Sequence, residues 1–198
     1  MKKKIFKSLA VVACALLLVV GSVVGTFAYL TSTDAVTNTF TVGNVKITMD
    51  EAPVDANGEA TTGDRVKANS YKLLPGHEYD KDPTIHVDDA SESCWLFVRI
   101  TDELAAIQDV KTVATQLGEN GWTLIDAATN VYAHESIAIA GADVVVFETI
   151  KIKGDVDNAT LAAYADKKVT VVAFALQADG FDTAAEAWEA AVEAGDIA

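Results

Sequence analysis

The sequence is poor in the residues that most often do chemistry. Only two cysteines occur in 198 residues, Cys14 and Cys94, and Cys14 falls inside an N-terminal apolar run. Outside that run Cys94 stands alone, so no disulfide can form within the remainder of the chain. It lies in the apolar stretch Cys94-Trp95-Leu96-Phe97-Val98 and reads as a small buried hydrophobe rather than a reactive or intermolecular thiol. Histidine is as scarce: His77, His86 and His134 are the only three. His77-Glu78 and His134-Glu135 begin like a zinc-protease helix, but neither has a second histidine four positions after the first. The two imidazoles that such a site needs on one helical face are therefore absent, and a metal site assembled from scattered residues is the remaining alternative. Ser32, Ser70, Ser91, Ser93 and Ser136 stand in no Gly-x-Ser-x-Gly elbow, and no phosphate-cradling glycine loop occurs. Asp55-Ala56-Asn57-Gly58 and Asp155-Val156-Asp157-Asn158 resemble pieces of calcium loops. Neither has the ligand spacing or the closing bidentate Glu, so both read as acidic turns. No constellation supports catalysis, and no catalytic residue, metal ligand or cofactor is expected.

Basic charge is the other shortage. Four of the 15 basic residues (Lys2, Lys3, Lys4 and Lys7) lie at the extreme N-terminus, and none of the 29 acidic ones does. The remainder thus carries 29 acids against 11 bases, a net charge of about −18. Such a chain is repelled by nucleic acid and by anionic membrane surfaces. The four lysines precede an aliphatic run from Leu9 to Val24, and Gly25-Thr26-Phe27-Ala28 then offers the small residues that a signal peptidase reads. Residues 1–28 are read as a signal-peptide helix cleaved between Ala28 and Tyr29. The alternatives are a retained anchor, because a run of about 20 apolar residues also spans a bilayer, and lipidation at Val11-Val12-Ala13-Cys14. Against the latter, the apolar run continues well past Cys14. Cleavage leaves about 170 residues, enough for one domain with a real core.

Most of that remainder has strand character. Phe40 and Val42 alternate with polar residues in Thr39–Asp50. A one-residue slip at Gly43-Asn44 shifts the phase to Val45, Ile47 and Met49, as a bulge or bend would. Residues 51–69 are polar, rich in Gly, Ala, Thr and Asp, and aperiodic, so a flexible loop is predicted there. Leu73-Leu74-Pro75-Gly76 marks a turn into a strand over Asp82–Val87. Cys94–Thr101 is nearly continuously apolar and is expected to be a central strand. Further strands are predicted over Trp122–Ile125, Val131–His134, Val144–Ile152 and Lys168–Gln177. Leu104–Leu117 has helical spacing closed by Gly118. Thr183-Ala184-Ala185-Glu186 is a capping box opening a helix over 183–194, with Phe181 and Ala187 at staple positions, Ala184, Trp188 and Val192 on one face, and Gly195 as its stop. Trp188 reads as the anchor of that helix on the core rather than as a ligand contact. Many short strands with one or two peripheral helices argue for a β-sandwich spanning 39–198, preceded by an extension over 29–40.

The segment Gly25-Thr26-Phe27-Ala28-Tyr29-Leu30-Thr31-Ser32-Thr33-Asp34, with Val36-Thr37-Asn38-Thr39-Phe40-Thr41-Val42-Gly43-Asn44-Val45, resembles the N-terminus of the TasA/camelysin (CalY) family. Leu73-Leu74-Pro75-Gly76-His77-Glu78 resembles that family's Leu-x-Pro-Gly turn. Val171–Phe181, with Ala173-Phe174-Ala175-Leu176-Gln177-Ala178, resembles its last core strand. Residues 102–142 match only in general character. The resemblance implies a jelly-roll-like sandwich, export in Gram-positive bacteria through a SipW-type signal peptidase, and a secreted subunit of an extracellular biofilm-matrix fibre. The residues suit a head-to-tail homopolymer. Cleavage frees an extended segment in which Leu30, Val36, Phe40 and Val42 can add, as a donated strand, to an open sheet edge of the next copy. No contact with membrane after cleavage or with nucleic acid is expected. The same resemblance implies a rival, a camelysin-like surface metallo-endopeptidase, and a monomeric surface or adhesion domain is a third reading. N-terminal sequencing of the exported protein is expected to begin at Tyr29. A retained Met1, or a lipidated Cys14 at the N-terminus, identifies the anchored forms instead.

Overall fold

The computed structural model describes residues 43–197. The expected signal peptide, the expected cleavage pair Ala28 and Tyr29, the expected donor residues Leu30, Val36, Phe40 and Val42, and the first part of the strand expected from Thr39 lie outside the described residues.

The fold is mainly β and sandwich-like, with antiparallel strands in three sheets. In chain order the strands are β1 (Ile47–Asp50), β2 (Glu78–Asp80), β3 (Thr84–Val87), β4 (Cys94–Asp102), β5 (Trp122–Asp126), β6 (Val131–His134), β7 (Asp143–Val145), β8 (Thr149–Lys151) and β9 (Val169–Gln177). The helices are α1 (Val113–Glu119), α2 (Asn158–Ala163) and α3 (Ala184–Ala194), with a 3-10 turn at Ala105–Ile107. The sheets run β1-β3-β7, β2-β8 and β5-β6-β4-β9.

Strand β4 explains the architecture. Its first five residues are all buried, which is why its sequence is a continuous apolar run without alternation. Cys94, Leu96, Val98 and Ile100 point into the main core with Ile85, Val87, Phe147, Ile150 and Ile152. Trp95 and Phe97 point the other way, into a second cluster with Val131, Ala133 and Trp188. Each such burial contributes roughly 1.5–3 kcal/mol, so one strand holds two hydrophobic layers together. Cys94 is fully buried, and that burial pushes its thiol pKa up, which suits a core residue.

Helix α3 covers the second layer. The capping box is complete, with the Thr183 hydroxyl accepting from Glu186 N–H and the Glu186 carboxylate from Thr183 N–H. Gly195 closes the helix at φ 78°, a left-handed geometry that suits glycine. The Trp188 ring lies 5.0 Å from Phe97 and 5.6 Å from Phe174. The buried stripe is Ala187, Trp188 and Ala191, whereas Val192, expected on that face, is 48% exposed.

Two expected elements are broken, and in both a buried glutamine intervenes. The helix expected over Leu104–Leu117 breaks after Ile107. Buried Gln108 donates to Asp102 and accepts from Val113 N–H, while its own backbone extends and bridges to Ile152. Thr112 then caps α1 by accepting from Thr115 N–H. Gly118 lies inside this helix, and the reversal falls at Gly121, φ 79°. The strand expected over Val144–Ile152 is two strands, β7 beside β3 and β8 beside β2. Between them buried Gln116 accepts from the N–H groups of Glu148 and Thr149 and donates to the Thr149 carbonyl, occupying backbone groups that a continuous strand would need. The acidic turn at Asp155–Asn158 opens α2, with Asp157 accepting from Thr160 N–H. The aperiodic 51–69 segment is tied down by bridges Glu51–Val66 and Val54–Ala60. At Gly58 a Cβ would sit 2.5 Å from the Tyr79 ring.

Trp188→Ala is expected to cost about 3–5 kcal/mol, read as a lowered urea midpoint. The near-UV signal of the aromatic cluster should fall while most far-UV β-signal persists below the transition.

Candidate strand-docking edge

Strand β9 is the last strand of its sheet, paired with β4 over all nine residues. The ladder is bracketed by two bonds, Glu103 N–H to Lys168 O and Ala178 N–H to Ser93 O. Antiparallel pairs alternate between bonded and non-bonded positions. Residues 168, 170, 172, 174, 176 and 178 therefore bond β4, and the N–H and C=O groups of Val169, Val171, Ala173, Ala175 and Gln177 point away from it. No other strand among the described residues pairs with that side. From Val169 to Gln177 there is neither a charged residue nor a proline, two of the usual protections of an edge strand.

The edge of β1 is different. Asp88 N–H donates to Lys46 O, so Ile47, Met49 and Glu51 carry the outward groups on that strand. Glu51 exchanges both backbone bonds with Val66, and the Lys67 ammonium donates to the Met49 carbonyl. Among the described residues, the segment read as a loop thus meets the Glu51 backbone and the Met49 carbonyl on the edge of β1, whereas no strand pairs with the outer side of β9.

Arg65 holds that cover in place. Its guanidinium contacts the carboxylates of Asp50 and Asp82, both of their backbone carbonyls, and the Thr84 hydroxyl. Partial burial opposes ionisation of Asp50, but the bonds from Arg65 and His86 outweigh it and hold the carboxyl below its ordinary range.

Between the covered edge of β1 and the start of β9 lies a groove of about 960 Å³. Met49, Leu73, Leu104, Ile150, Leu161 and Val169 supply apolar lining, and Lys67, Lys81, Lys167 and Lys168 supply the cations. Lys81 pairs with buried Glu51, and Lys167 with Glu103 at 2.9 Å. The Tyr71 hydroxyl donates to the Asp80 carbonyl at 3.0 Å. Burial first, and then the Glu51 carboxylate, push the Tyr71 phenol upward, so it stays a neutral donor.

The three histidines lie apart. His77 Nε2 contacts the Asn57 carbonyl, His86 bridges two carboxylates, and His134 packs edge-on to Trp122. Among the described residues no group of three or more His, Cys, Asp or Glu side chains could hold a metal ion, and no helix is long and apolar enough to cross a membrane. The expected donor residues lie outside the described residues, so the structure brings none of them to the edge. Sequence reasoning recognised β9 as a strand but missed that it is an edge. The available signal was its unbroken uncharged run, which by itself fits a central strand equally well.

The fold and site thus define a sandwich-like β-domain in which β9, an uncharged edge strand, has no strand partner on its outer side among the described residues. No protein-family model, curated protein or solved structure matches the chain.

Arg65→Ala is expected to lower stability by about 1.5–3 kcal/mol, the range for hydrogen bonds to charged groups. It should also make residues 51–69 the first site of limited proteolysis, located by mass spectrometry of the fragments.

Proposed function

We propose that this chain is a secreted structural subunit of the TasA/camelysin kind, exported and cleaved after Ala28 by a SipW-type peptidase. On this reading it builds an extracellular matrix fibre by donating its N-terminal segment to the next copy. The observation that carries the reading is the bare edge of β9, an uncharged strand whose outward backbone groups have no strand partner among the described residues.

The segment Tyr29–Asn38 is as long as the edge it would cover, about 30 Å at the rise of an extended strand. A ladder along β9 would engage the five outward residues. At about 0.5–1.5 kcal/mol net per bond, that gain is of the order of the cost of ordering ten residues at about 1–2 kcal/mol each, or below it. Backbone pairing alone therefore does not hold the joint. Leu30 and Val36 must also be buried, each contributing about 1.5–3 kcal/mol, and this selects one register. Donor and acceptor are different surfaces of the same chain, so the contact is heterologous and propagates as a filament rather than closing a dimer. The N-terminal tether acts as a lock, because a segment still joined to its membrane-held signal cannot be donated.

Light scattering and negative-stain imaging of the mature chain test this. The intact chain is expected to form fibres. Deletion of Tyr29–Asn38 should leave monomers with an unchanged far-UV spectrum. Ala173→Pro should do the same, because it removes an outward N–H and no bond to β4. Fibres from the deletion variant would show the donor mechanism to be wrong. Stoichiometric zinc with chelator-sensitive casein cleavage would replace the structural reading with the peptidase one.

A further inference from the structure

On the outer side of the three-stranded sheet, His86 occupies the middle strand, β3. Its cross-strand neighbours are Thr48 on β1 and Asp143 on β7. Nδ1 lies 2.6 Å from an Asp143 carboxylate oxygen, and Nε2 lies 2.9 Å from one of Asp50, two residues further along β1. A neutral imidazole carries a single N–H. It can donate to one of these carboxylates only, and would turn a ring lone pair toward the other. The imidazolium alone satisfies both contacts.

We infer that His86 is a proton-operated latch, whose charged form ties β1 and β7 to the two sides of β3 and whose neutral form releases one of them. Asp143 is the contact expected to open. Its side chain is 68% exposed, against 21% for Asp50, so water can replace the ring. Asp50 is also held by Arg65. The charged groups facing the ring are thus Asp50 from β1, Asp143 from β7 and, behind Asp50, the Arg65 guanidinium, itself shared with Asp82. The Lys67 ammonium is directed to the Met49 carbonyl. Partial burial opposes a charge on His86, and the hydrogen bonds to the two carboxylates and their charges favour it. The balance raises the ring's pKa above its ordinary value. A raised histidine stabilises the fold fully below its unfolded value, about 6.5, and that contribution is lost as pH rises through the folded value. The latch is therefore closed in mildly acidic medium and opens on alkalinisation. It does not depend on the strand-donation reading.

Ring-proton NMR titration of the mature chain, with hydrogen exchange at pH 5.5 and 8.5, tests it. His86 is expected to titrate above 6.5. Protection of the β7 amides, corrected for intrinsic exchange, should fall with rising pH by up to about tenfold per unit of pKa shift, while that of the β1 amides changes less. D143N, at an exposed position, should fold normally and lower the His86 pKa, and H86Q should abolish the pH dependence of protection. A His86 pKa at or below 6.5, an unchanged pKa in D143N, or the same pH-dependent exchange in H86Q would each overturn the latch.

Discussion

Burial of β4 on both faces is the constraint on which the rest of this structure depends. A strand with one wet face needs a single covering layer. Cys94–Ile100, apolar on both faces over most of its length, needs two, and the chain supplies them from opposite ends. The sheets containing β3 and β8, with Val146 and Phe147 between β7 and β8, cover the side of Leu96 and Val98. Helix α3 covers the side of Trp95 and Phe97. The capping box and the Gly195 stop then set the length of that helix to what the second layer requires.

Around this apolar frame a few polar side chains decide where elements stop. Gln108 and Gln116 are both 2% exposed; Gln108 is satisfied by the Asp102 carboxylate and the Val113 N–H, and Gln116 by backbone groups that strand continuation would have used. A buried amide left unpaired is costly, so the chain breaks where these side chains can be met. Arg65 does comparable work at the surface, fastening a polar segment across the edge of β1.

The edges of β1 and β9 thus differ. Residues 66 and 67 meet part of the β1 edge, while among the described residues no strand pairs with the outward backbone groups of β9, a strand that itself carries no charge or proline. Edges of this kind invite pairing with another chain, and the groove alongside adds apolar surface in which alternate side chains can be buried. The His86 contacts lie on the other strand system, at β1, β3 and β7, where titration of one ring changes how firmly β7 is joined to β3.

What the sequence determined by itself was local and periodic. The alternation of Val45, Ile47 and Met49, the apolar run of β4, the β-branched run of β9, the turn at Pro75-Gly76 and the capped helix at Thr183 follow from spacing and propensity, and each lies where that spacing put it. Tertiary structure decided everything that depended on a distant partner. Leu104–Leu117 had helical spacing, but only the approach of Ile152 and Asp102 to Gln108 showed that it must break. Val144–Ile152 read as one strand because nothing near it in sequence announces Gln116, some thirty positions earlier. The exposure of the β9 edge was equally hidden. Its uncharged run fits a central strand as well as an edge, and strand order is set by which surfaces bury together, a property of the folded chain that no local pattern carries.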